Sequence, residues 1–218
     1  YSLYKKNKNI AITGTNGKST TVKIIYDVLR DQKFDARLVG NIGNPVLSEK
    51  KITKDTIFVI EASSYQLEYS KLFKAHFAGI LNISPDHLER HGKLQNYIKA
   101  KFKIVKNQSN KDIAFLNVKN LHIKKEIKKS KIFSKIIRIN KGINCNILNK
   151  INNPYFLTEG NKENLLFVFE IMKKFNIKNN KFFKTLKNFN GLKYRQQIIY
   201  RSKNLTIIND SKATSYSS

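Results

Sequence analysis

The stretch that decides the fold is residues 10–21, which read Ile-Ala-Ile-Thr-Gly-Thr-Asn-Gly-Lys-Ser-Thr-Thr. Residues 10–13 are apolar or β-branched, and this composition predicts a buried strand. Residues 14–17 predict a tight turn, and an apolar-periodic segment that begins at Lys18 predicts a helix. The sequence therefore predicts a strand, a glycine-containing loop and a helix in direct succession.

This loop has the composition of a phosphate-binding loop. Consecutive backbone N–H groups and a helix N-terminus attract an anion, the Lys18 ammonium can reach β- and γ-phosphates, and the Ser19 hydroxyl can bind Mg²⁺. The general Gly-x-x-x-x-Gly-Lys-Ser/Thr pattern needs a glycine where this chain has Ile12, so the loop is a shorter variant. The alternative is an ordinary Gly-Asn turn capped by Ser19 or Thr20. The ordered Gly-Lys-Ser-Thr after a strand favours a nucleoside triphosphate.

The length and composition indicate a globular protein. A chain of 218 residues with 40% hydrophobic residues can bury a substantial core in one or two domains. No stretch approaches the ~20 apolar residues of a membrane span, and the first residues do not resemble a signal peptide, so we expect a cytoplasmic protein with no membrane partner. The single cysteine, Cys145, excludes an internal disulfide and a cysteine-cluster metal site, and we expect it to be half-buried.

The net charge of +27 raises nucleic acid as a partner. Lysines, however, occur in almost every segment, and the densest basic run, residues 124–135, has no arginine and only Phe133 as an aromatic residue. We expect a solvated helix face there and no nucleic-acid partner. A non-catalytic basic protein that binds nucleic acid is the alternative from another class, and salt-sensitive DNA binding without ATP hydrolysis would favour it.

The remaining pattern predicts an α/β fold, with a mostly parallel sheet flanked by helices and antiparallel strands added late. Beyond residue 140 it predicts short β-like pieces through Leu157, then two helices, then a hairpin, with a second domain starting near Leu192. The predicted strands cover residues 36–39, 56–60, 77–83, 113–118, 136–139, 196–201 and 205–208, and the later predicted helices cover residues 96–106, 161–175 and 179–189.

Polar side chains follow several predicted strands. Asn41 lies in a turn-rich loop after the second strand, Glu61 directly follows the third, and Asp86 and His87 follow the fourth. Ligands bind outside the carboxyl ends of parallel strands, so we expect these residues to converge near the glycine loop. Taken alone, Glu61 could be a helix-capping or surface carboxylate and His87 a hydrogen-bonded structural histidine.

Six motifs in this order resemble those of the Mur ligase family. Two of them, residues 61–68 and 209–214, are similar to the member that joins D-glutamate to UDP-N-acetylmuramoyl-L-alanine. The motifs are Gly-Thr-Asn-Gly-Lys-Ser-Thr (14–20), Gly-Asn-Ile-Gly (40–43), Glu-Ala-Ser-Ser-Tyr-Gln-Leu-Glu (61–68), Asn82-x-x-x-Asp86-His87-x-x-Arg90, Tyr97-x-x-Ala100-Lys101 and Asn-Asp-Ser-Lys-Ala-Thr (209–214).

The resemblance implies a domain organisation. Residues 1–191 would form the family's central, P-loop NTPase-like ATP-binding domain, and residues 192–218 the first strands of a Rossmann-like C-terminal domain. The family's N-terminal UDP-binding domain would be absent from this chain. We therefore expect the 218 residues alone to be inactive.

The resemblance also implies a reaction in peptidoglycan precursor synthesis. ATP would phosphorylate the L-alanyl carboxylate, the D-glutamate amine would attack the acyl phosphate, and ADP and phosphate would leave. The family uses two Mg²⁺ ions and a carbamylated lysine, and a monomer is expected. A lysine and two Mg²⁺ ions supply the charge compensation that an anionic carboxylate attacking ATP requires.

The motif matches imply roles for individual residues. The catalytic residues would be Lys18, His87 and Lys101. Mg²⁺ ligands would be Ser19, Glu61, His87 and Lys101. ATP would be bound by Gly14, Thr15, Asn16, Gly17, Lys18, Ser19, Thr20, Asn161, Asn164, Arg195, Asp210 and Lys212. The muramoyl and amino-acid substrates would contact Asn41, Ser63, Lys212 and Thr214.

The two interpretations of Lys101 differ most. Spacing alone predicts a solvated lysine on a lysine-rich helix. A carbamate, formed from CO₂ on an amine whose pKa is lowered by burial, would instead supply the anionic oxygens that two Mg²⁺ ions need. On that hypothesis the Lys101 nitrogen lies on the same side of the cleft as His87 and Glu61, and Lys99 and Lys103 point elsewhere.

The chain also departs from the family pattern. Gly160 and Tyr194 stand where the family has histidine, and Ser215 stands where it has asparagine. These departures affect the adenine and domain-closure contacts. The nearest alternative family is that of folylpolyglutamate-synthase-like ligases, whose loop reads Gly-Thr-x-Gly-Lys-Gly-Ser, whereas Ser19 follows Lys18 here.

Overall fold

The computed structural model describes residues 7–212 except the Arg201 side chain, and a six-stranded sheet lies at its centre. The strand order is β2-β3-β1-β4-β5-β6, and every neighbouring pair is parallel. The predicted parallel α/β architecture is therefore confirmed. The strands are β1 (Asn9–Thr13), β2 (Ala36–Gly40), β3 (Ile57–Glu61), β4 (Phe77–Ile80), β5 (Ile113–Asn117) and β6 (Lys135–Ile139).

Helices cover both faces of this sheet. They are α1 (Lys18–Asp31), α2 (Ser64–Tyr69), α3 (Leu88–His91), α4 (Leu94–Lys106), α5 (Leu121–Lys129), α6 (Cys145–Ile151), α7 (Glu159–Met172) and α8 (Asn179–Lys187), with 3₁₀ turns at Val46–Ser48 and Pro154–Leu157.

The two faces of the sheet carry separate cores. In β1, Ile10 and Ile12 pack on one side with residues of α1, α7 and α8, whereas Ala11 packs on the other side with residues of α2, α4 and α5. Successive side chains of a strand point to opposite faces, so a strand covered on both faces must be apolar throughout. This is why β1 and β3 read as continuous hydrophobic runs.

The strand order places three strand ends at one point. β1 lies between β3 and β4, so the loop after β1 is flanked by the carboxyl ends of both. In register, Ile12 pairs with Glu61 and Thr13 pairs with Ile80. An open parallel sheet forms its ligand crevice where the strand order reverses. The phosphate loop therefore opens into a cleft with polar residues on either side.

The antiparallel strands form a separate sheet. β7 (Gln197–Arg201) and β8 (Thr206–Asn209) pair as the predicted hairpin and do not extend the six-stranded sheet. The hairpin touches the main body through residues near its two ends, which line the cleft described below. A domain boundary near Leu192 stays a prediction.

Three local predictions are wrong. β4 ends at Ile80 and not at Ile83. The segment predicted as short β-like pieces is helical, because Asn144 caps α6 and Asn153 caps the 3₁₀ turn, while Ile151 is buried in the core of the α1 face. Cys145, expected to be half-buried, is exposed at the start of α6.

The lysine-rich run behaves as predicted over its helical part. Lys124, Lys125, Lys128 and Lys129 are exposed on α5, which buries Ile123 against the sheet. The run then leaves the helix, and Lys135 begins β6. Across residues 7–212, no helix combines the length and the apolar content needed to cross a membrane.

Candidate active site

A cavity of about 540 Å³ opens at the carboxyl edge of the sheet. Every site residue predicted from sequence lines it except Gly14, whose carbonyl accepts from the lining residue Lys101, and Thr214, which is outside the described residues. The structure thus brings together side chains that are up to 197 positions apart, from Thr15 to Lys212. Their roles stay predictions.

The phosphate loop is held in a conformation that exposes the start of α1. Gly17 is the N-cap residue and adopts a left-handed conformation with φ 81°. Asn82, just after β4, clamps the loop: its Oδ1 accepts from the Asn16 N–H at 2.8 Å, and its Nδ2 donates to the Asn16 carbonyl at 3.1 Å. None of the side chains that the structure describes caps α1, so its first N–H groups are available to an anion.

The Lys18 amine is folded back over this loop. Its Nζ donates to the Thr15 carbonyl at 2.7 Å. Burial lowers the pKa of Lys18, and Arg195 across the cavity lowers it further, whereas Glu61 and Asp86 oppose both effects. A triphosphate on the loop would favour the charged amine, which makes Lys18 a suitable phosphate ligand.

Glu61, the last residue of β3, is 1% exposed. Its Oε1 accepts from Asn41 Nδ2 at 2.8 Å, and its Oε2 is buried and has no hydrogen-bond partner among residues 7–212. A buried carboxylate oxygen without a partner is costly unless a cation or a donor satisfies it. Asn41, which was predicted to contact substrate, orients the Glu61 carboxylate in this structure through its hydrogen bond to Oε1.

Lys101 points from α4 into the back of the cavity and is 1% exposed. Its Nζ donates to the Gly14 carbonyl at 2.7 Å and lies 4.4 Å from the centre of the Tyr97 ring. Burial lowers the pKa of Lys101 well below its usual value, and the nearby Lys18 adds to this effect. By contrast, Lys99 is exposed, and Lys103 donates to the Glu68 carbonyl outside the cavity.

His87 begins α3 in a left-handed conformation with φ 53°. Its ring lies 5.2 Å from that of Tyr65 and faces Asp86, with Nε2 3.5 Å from Oδ2. A non-glycine residue in this conformation is uncommon and typical of a constrained site. His87 and Asp86 together place an imidazole and a carboxylate on the wall of the cavity that Glu61 also lines.

Ser63 has a structural partner as well as a place on the cavity wall. Its side chain accepts from the Gln66 N–H at 3.2 Å, and the Gln66 side chain accepts from the Ser63 N–H at 3.0 Å. This is a capping box at the start of α2. A role in substrate binding would have to share the Ser63 hydroxyl with this cap.

The opposite end of the cavity is formed by α7 and by the hairpin ends. Asn164 packs against Gly17, where an added Cβ would overlap its side-chain amide. Asn161 donates to the Tyr155 carbonyl at 2.9 Å. The remaining predicted nucleotide contacts at this end, all on the cavity wall, are Arg195, Asp210 and Lys212.

Further cavity residues were not assigned roles from sequence, among them Asn82, Asp86, Tyr97, Tyr155 and Gln196. Asp86 was expected near the glycine loop because it follows β4, and the same position after a strand could have identified Asn82. Burial raises the pKa of Tyr97 to about 12, and its hydroxyl contacts Thr15 Oγ1 at 3.1 Å. Tyr155 had no signal, because its segment was predicted to be extended.

The donor set fits Mg²⁺ bound together with a nucleotide. Among the residues that the structure describes, no group of three or more His, Cys, Asp or Glu side chains is placed to hold a metal ion by itself. Mg²⁺ usually takes one or two protein carboxylates and completes its shell with phosphates and water. The partnerless Oε2 of Glu61 and the buried Ser19 hydroxyl are suitable donors for such an ion.

Comparison with known proteins decides the family. The model of the Mur ligase middle domain matches residues 12–182. The chain belongs to the Mur ligase family.

Among curated relatives, the UDP-N-acetylmuramoylalanine–D-glutamate ligase of Alkaliphilus oremlandii is 35% identical over 94% of this chain and 49% of its own length. The ligase of the same name from Rickettsia felis is 34% identical over 97% of this chain and 51% of its own length. The chain spans about half the length of these Mur ligases.

Solved structures agree on the fold. MurF ligase from Thermotoga maritima, solved in complex with ADP, superposes with a TM-score of 0.68 at 14% identity, covering 95% of this chain and 55% of that one. MurF from Acinetobacter baumannii gives 0.67 at 17% identity, covering 96% and 51%. The predicted Mur ligase architecture is confirmed.

Proposed function

We propose that this Mur ligase chain is the ATP-binding part of an enzyme that joins D-glutamate to UDP-N-acetylmuramoyl-L-alanine. The named relatives support these substrates, and the ADP-bound structural neighbour supports the nucleotide. One observation carries the proposal: the phosphate loop, Glu61, His87 and Lys101 line a single cavity. The amide-forming activity, a cytoplasmic location and peptidoglycan synthesis are proposed for the whole protein.

The nucleotide would lie along the start of α1. The loop N–H groups and Lys18 would bind its β- and γ-phosphates, and the α7 end of the cavity would receive its base. Ser19 and Glu61 would hold one Mg²⁺ with the phosphates, and His87 with Lys101 would hold a second. Bound Mg²⁺ would neutralise phosphate charge and thereby allow an anionic carboxylate to approach.

The reaction would proceed in two displacements. An oxygen of the L-alanyl carboxylate attacks the γ-phosphorus, and the bond between that phosphorus and ADP breaks. The D-glutamate amine then attacks the acyl carbon, loses a proton and expels inorganic phosphate. Lys18 would stabilise charge on the transferred phosphoryl group, which is the main task of a protein in phosphoryl transfer.

Lys101 would act as a carbamate. The site around it is electropositive, with Lys18 nearby, yet among the cavity residues within 7–212 only Glu61 has a buried carboxylate. A lysine whose pKa is lowered by burial has a free amine that can react with CO₂, losing a proton and gaining an anionic carboxylate. This would convert a buried amine into an anionic oxygen ligand for Mg²⁺.

Two substitutions in the whole protein test the proposal. Lys18→Ala should abolish amide formation measured as D-glutamyl product, because the γ-phosphate loses its cation. Lys101→Ala should do the same, whereas the matched variant Lys99→Ala, on the same helix but exposed, should keep full activity. D-Glutamate-dependent ADP release at a normal rate in Lys18→Ala would overturn the phosphate assignment, and full activity in Lys101→Ala would overturn the carbamate.

The division of the chain is also proposed. Residues 192–212 would begin a second domain, whose hairpin ends close one side of the nucleotide site. Residues 1–218 alone would bind ATP but form no amide. Incubating this chain with ATP, Mg²⁺ and both substrates, followed by detection of the D-glutamyl product, tests that division.

A further inference from the structure

The side-chain amide of Asn161 has a fixed orientation. Its Nδ2 donates to the Tyr155 carbonyl at 2.9 Å and to Gln196 Oε1 at 3.0 Å. A carbonyl oxygen can only accept, so the atom facing Tyr155 must be the nitrogen. Both N–H groups of Asn161 are therefore used within the protein, and only its Oδ1 can interact with a ligand.

This orientation determines that of Gln196. Because Asn161 offers it a donor, Gln196 must present Oε1, and its Nε2 is directed elsewhere. Within residues 7–212 that Nε2 has no hydrogen-bond partner, although Gln196 lines the cavity. The Gln196 backbone is held as well, because its N–H donates to Asp210 Oδ1 at 3.1 Å. Gln196 thus offers two unused N–H groups from a fixed position.

An acceptor and a donor consequently lie side by side. In the described part of the chain, Asn161 Oδ1 accepts only from Asn164 Nδ2, at a long 3.5 Å, so it retains accepting capacity. Gly160, also on the cavity wall, leaves open space, because a Cβ added there would meet nothing within 4 Å. This part of the cavity has room for a planar ring next to the acceptor–donor pair.

The position of the pair relative to the phosphate loop indicates which part of a nucleotide it meets. Asn164 packs directly on Gly17 of the loop, and Tyr155 contacts Thr20 Oγ1 at 3.4 Å. Asn161 and Asn164 lie on α7, which covers the same face of the sheet as α1, whereas Lys101 lies on α4, which covers the opposite face. A triphosphate bound with its γ-phosphate toward Glu61 would place its base at Asn161 and Gln196.

We propose that Gln196 selects adenine at this site, which rests on the proposed ATP function. Asn161 Oδ1 accepts from the 6-amino group, and Gln196 Nε2 donates to the neighbouring unprotonated ring nitrogen, N1. Guanine would present O6, an acceptor, to the acceptor Asn161 Oδ1. On the same edge it would present its N1–H, a donor, to the donor Gln196 Nε2, so neither hydrogen bond could form. A site built to hydrogen-bond one pattern rejects the reverse pattern, because its groups are left unpaired.

The test measures dissociation constants of Mg·ATP and Mg·GTP for the 218-residue chain by titration calorimetry. Gln196→Met removes the donor at similar size and should weaken ATP binding about tenfold while leaving GTP binding within about twofold. Gln196→Glu keeps the acceptor for Asn161 but replaces the donor, and should lower the ATP-to-GTP affinity ratio at least about tenfold. Circular dichroism confirms that each variant is folded.

Gln197→Glu is the matched control. It introduces the same charge one residue away, and its Oε1 can still accept from the Tyr194 N–H, as that of Gln197 does at 3.1 Å. Gln197 is not on the cavity wall, so this variant should leave the ATP-to-GTP ratio unchanged. An equal change in both glutamate variants would show a general charge effect and overturn the assignment to Gln196.

Deaza analogues identify the contacted nitrogen. 1-Deaza-ATP should bind the unmodified chain about tenfold more weakly than ATP, and this loss should disappear in Gln196→Met, whereas 7-deaza-ATP should bind both proteins as ATP does. Equal losses in both proteins, or folded variants that keep the original base preference, would overturn this inference alone. Failure of the unmodified chain to bind any triphosphate would overturn the proposed function and this inference with it.

Discussion

Gly17→Ala should destabilise the chain for two reasons, one in the backbone conformation of residue 17 and one in its packing against Asn164. Gly17 has a φ of 81°, in the left-handed region that an L side chain rarely adopts. An added Cβ would also overlap the side-chain amide of Asn164, which is 6% exposed and cannot easily move aside. The backbone cost and the steric cost are separable, because only the second depends on Asn164.

The expected magnitudes follow from these two costs. A non-glycine residue in the left-handed region costs about 1–2 kcal/mol. Overpacking against a buried neighbour adds about 1–3 kcal/mol. Gly17→Ala should therefore lower the free energy of unfolding by about 2–5 kcal/mol in the native background. In an Asn164→Ala background the overlapping atoms are gone, and only about 1–2 kcal/mol should remain.

Urea unfolding of the four proteins in this double-mutant cycle measures the coupling. Gly142→Ala is the control, because an added Cβ there meets nothing within 4 Å and Gly142 is not left-handed, so its effect should stay within about 0.5 kcal/mol. Strict additivity of Gly17→Ala and Asn164→Ala would refute the packing of Asn164 on the loop. A loss below about 0.5 kcal/mol for Gly17→Ala would refute the left-handed N-cap.

Three further outcomes are expected. Tyr97→Phe should cost about 1 kcal/mol of unfolding free energy in urea titration, because the buried hydroxyl loses its bond to Thr15; no loss would mean that this bond is not formed. Glu61→Gln should reduce the strengthening of ATP binding by Mg²⁺ at least about tenfold in calorimetry, and an unchanged Mg²⁺ effect would remove Glu61 from the metal site. Burial lowers the pKa of His76 from 6.5, so the unfolded chain binds more protons near that pH and stability should fall as the pH drops below 6.5. The fall of the denaturation midpoint between pH 7 and pH 5 should be smaller in His76→Gln than in the unmodified chain. An identical pH dependence would assign the effect to other groups.

The part of the molecule that the sequence determined is the part encoded by local patterns. Residues 10–21 specify strand, loop and helix because apolar periodicity, glycine and the Gly-Lys-Ser order are all properties of neighbouring residues. The buried strands could also be predicted from the sequence, since a strand covered on both faces must be apolar along its whole length. Residues such as Glu61 and His87 could be placed at one edge because parallel strands align their carboxyl ends. Six ordered motifs then indicated the family.

Tertiary structure alone decided properties that depend on distant neighbours. The segment 145–157 is helical because its apolar side chains complete the core beside α1 and α8, which its isoleucines could not reveal. Lys101 is buried because Gly14, 87 positions earlier, supplies a carbonyl for its amine, whereas Lys99 on the same helix is exposed. The donor that Gln196 offers exists only because the Tyr155 carbonyl orients Asn161, which in turn orients Gln196. Burial, pKa and hydrogen-bond direction are set by atoms brought together in space, so the order of residues along the chain does not contain them explicitly.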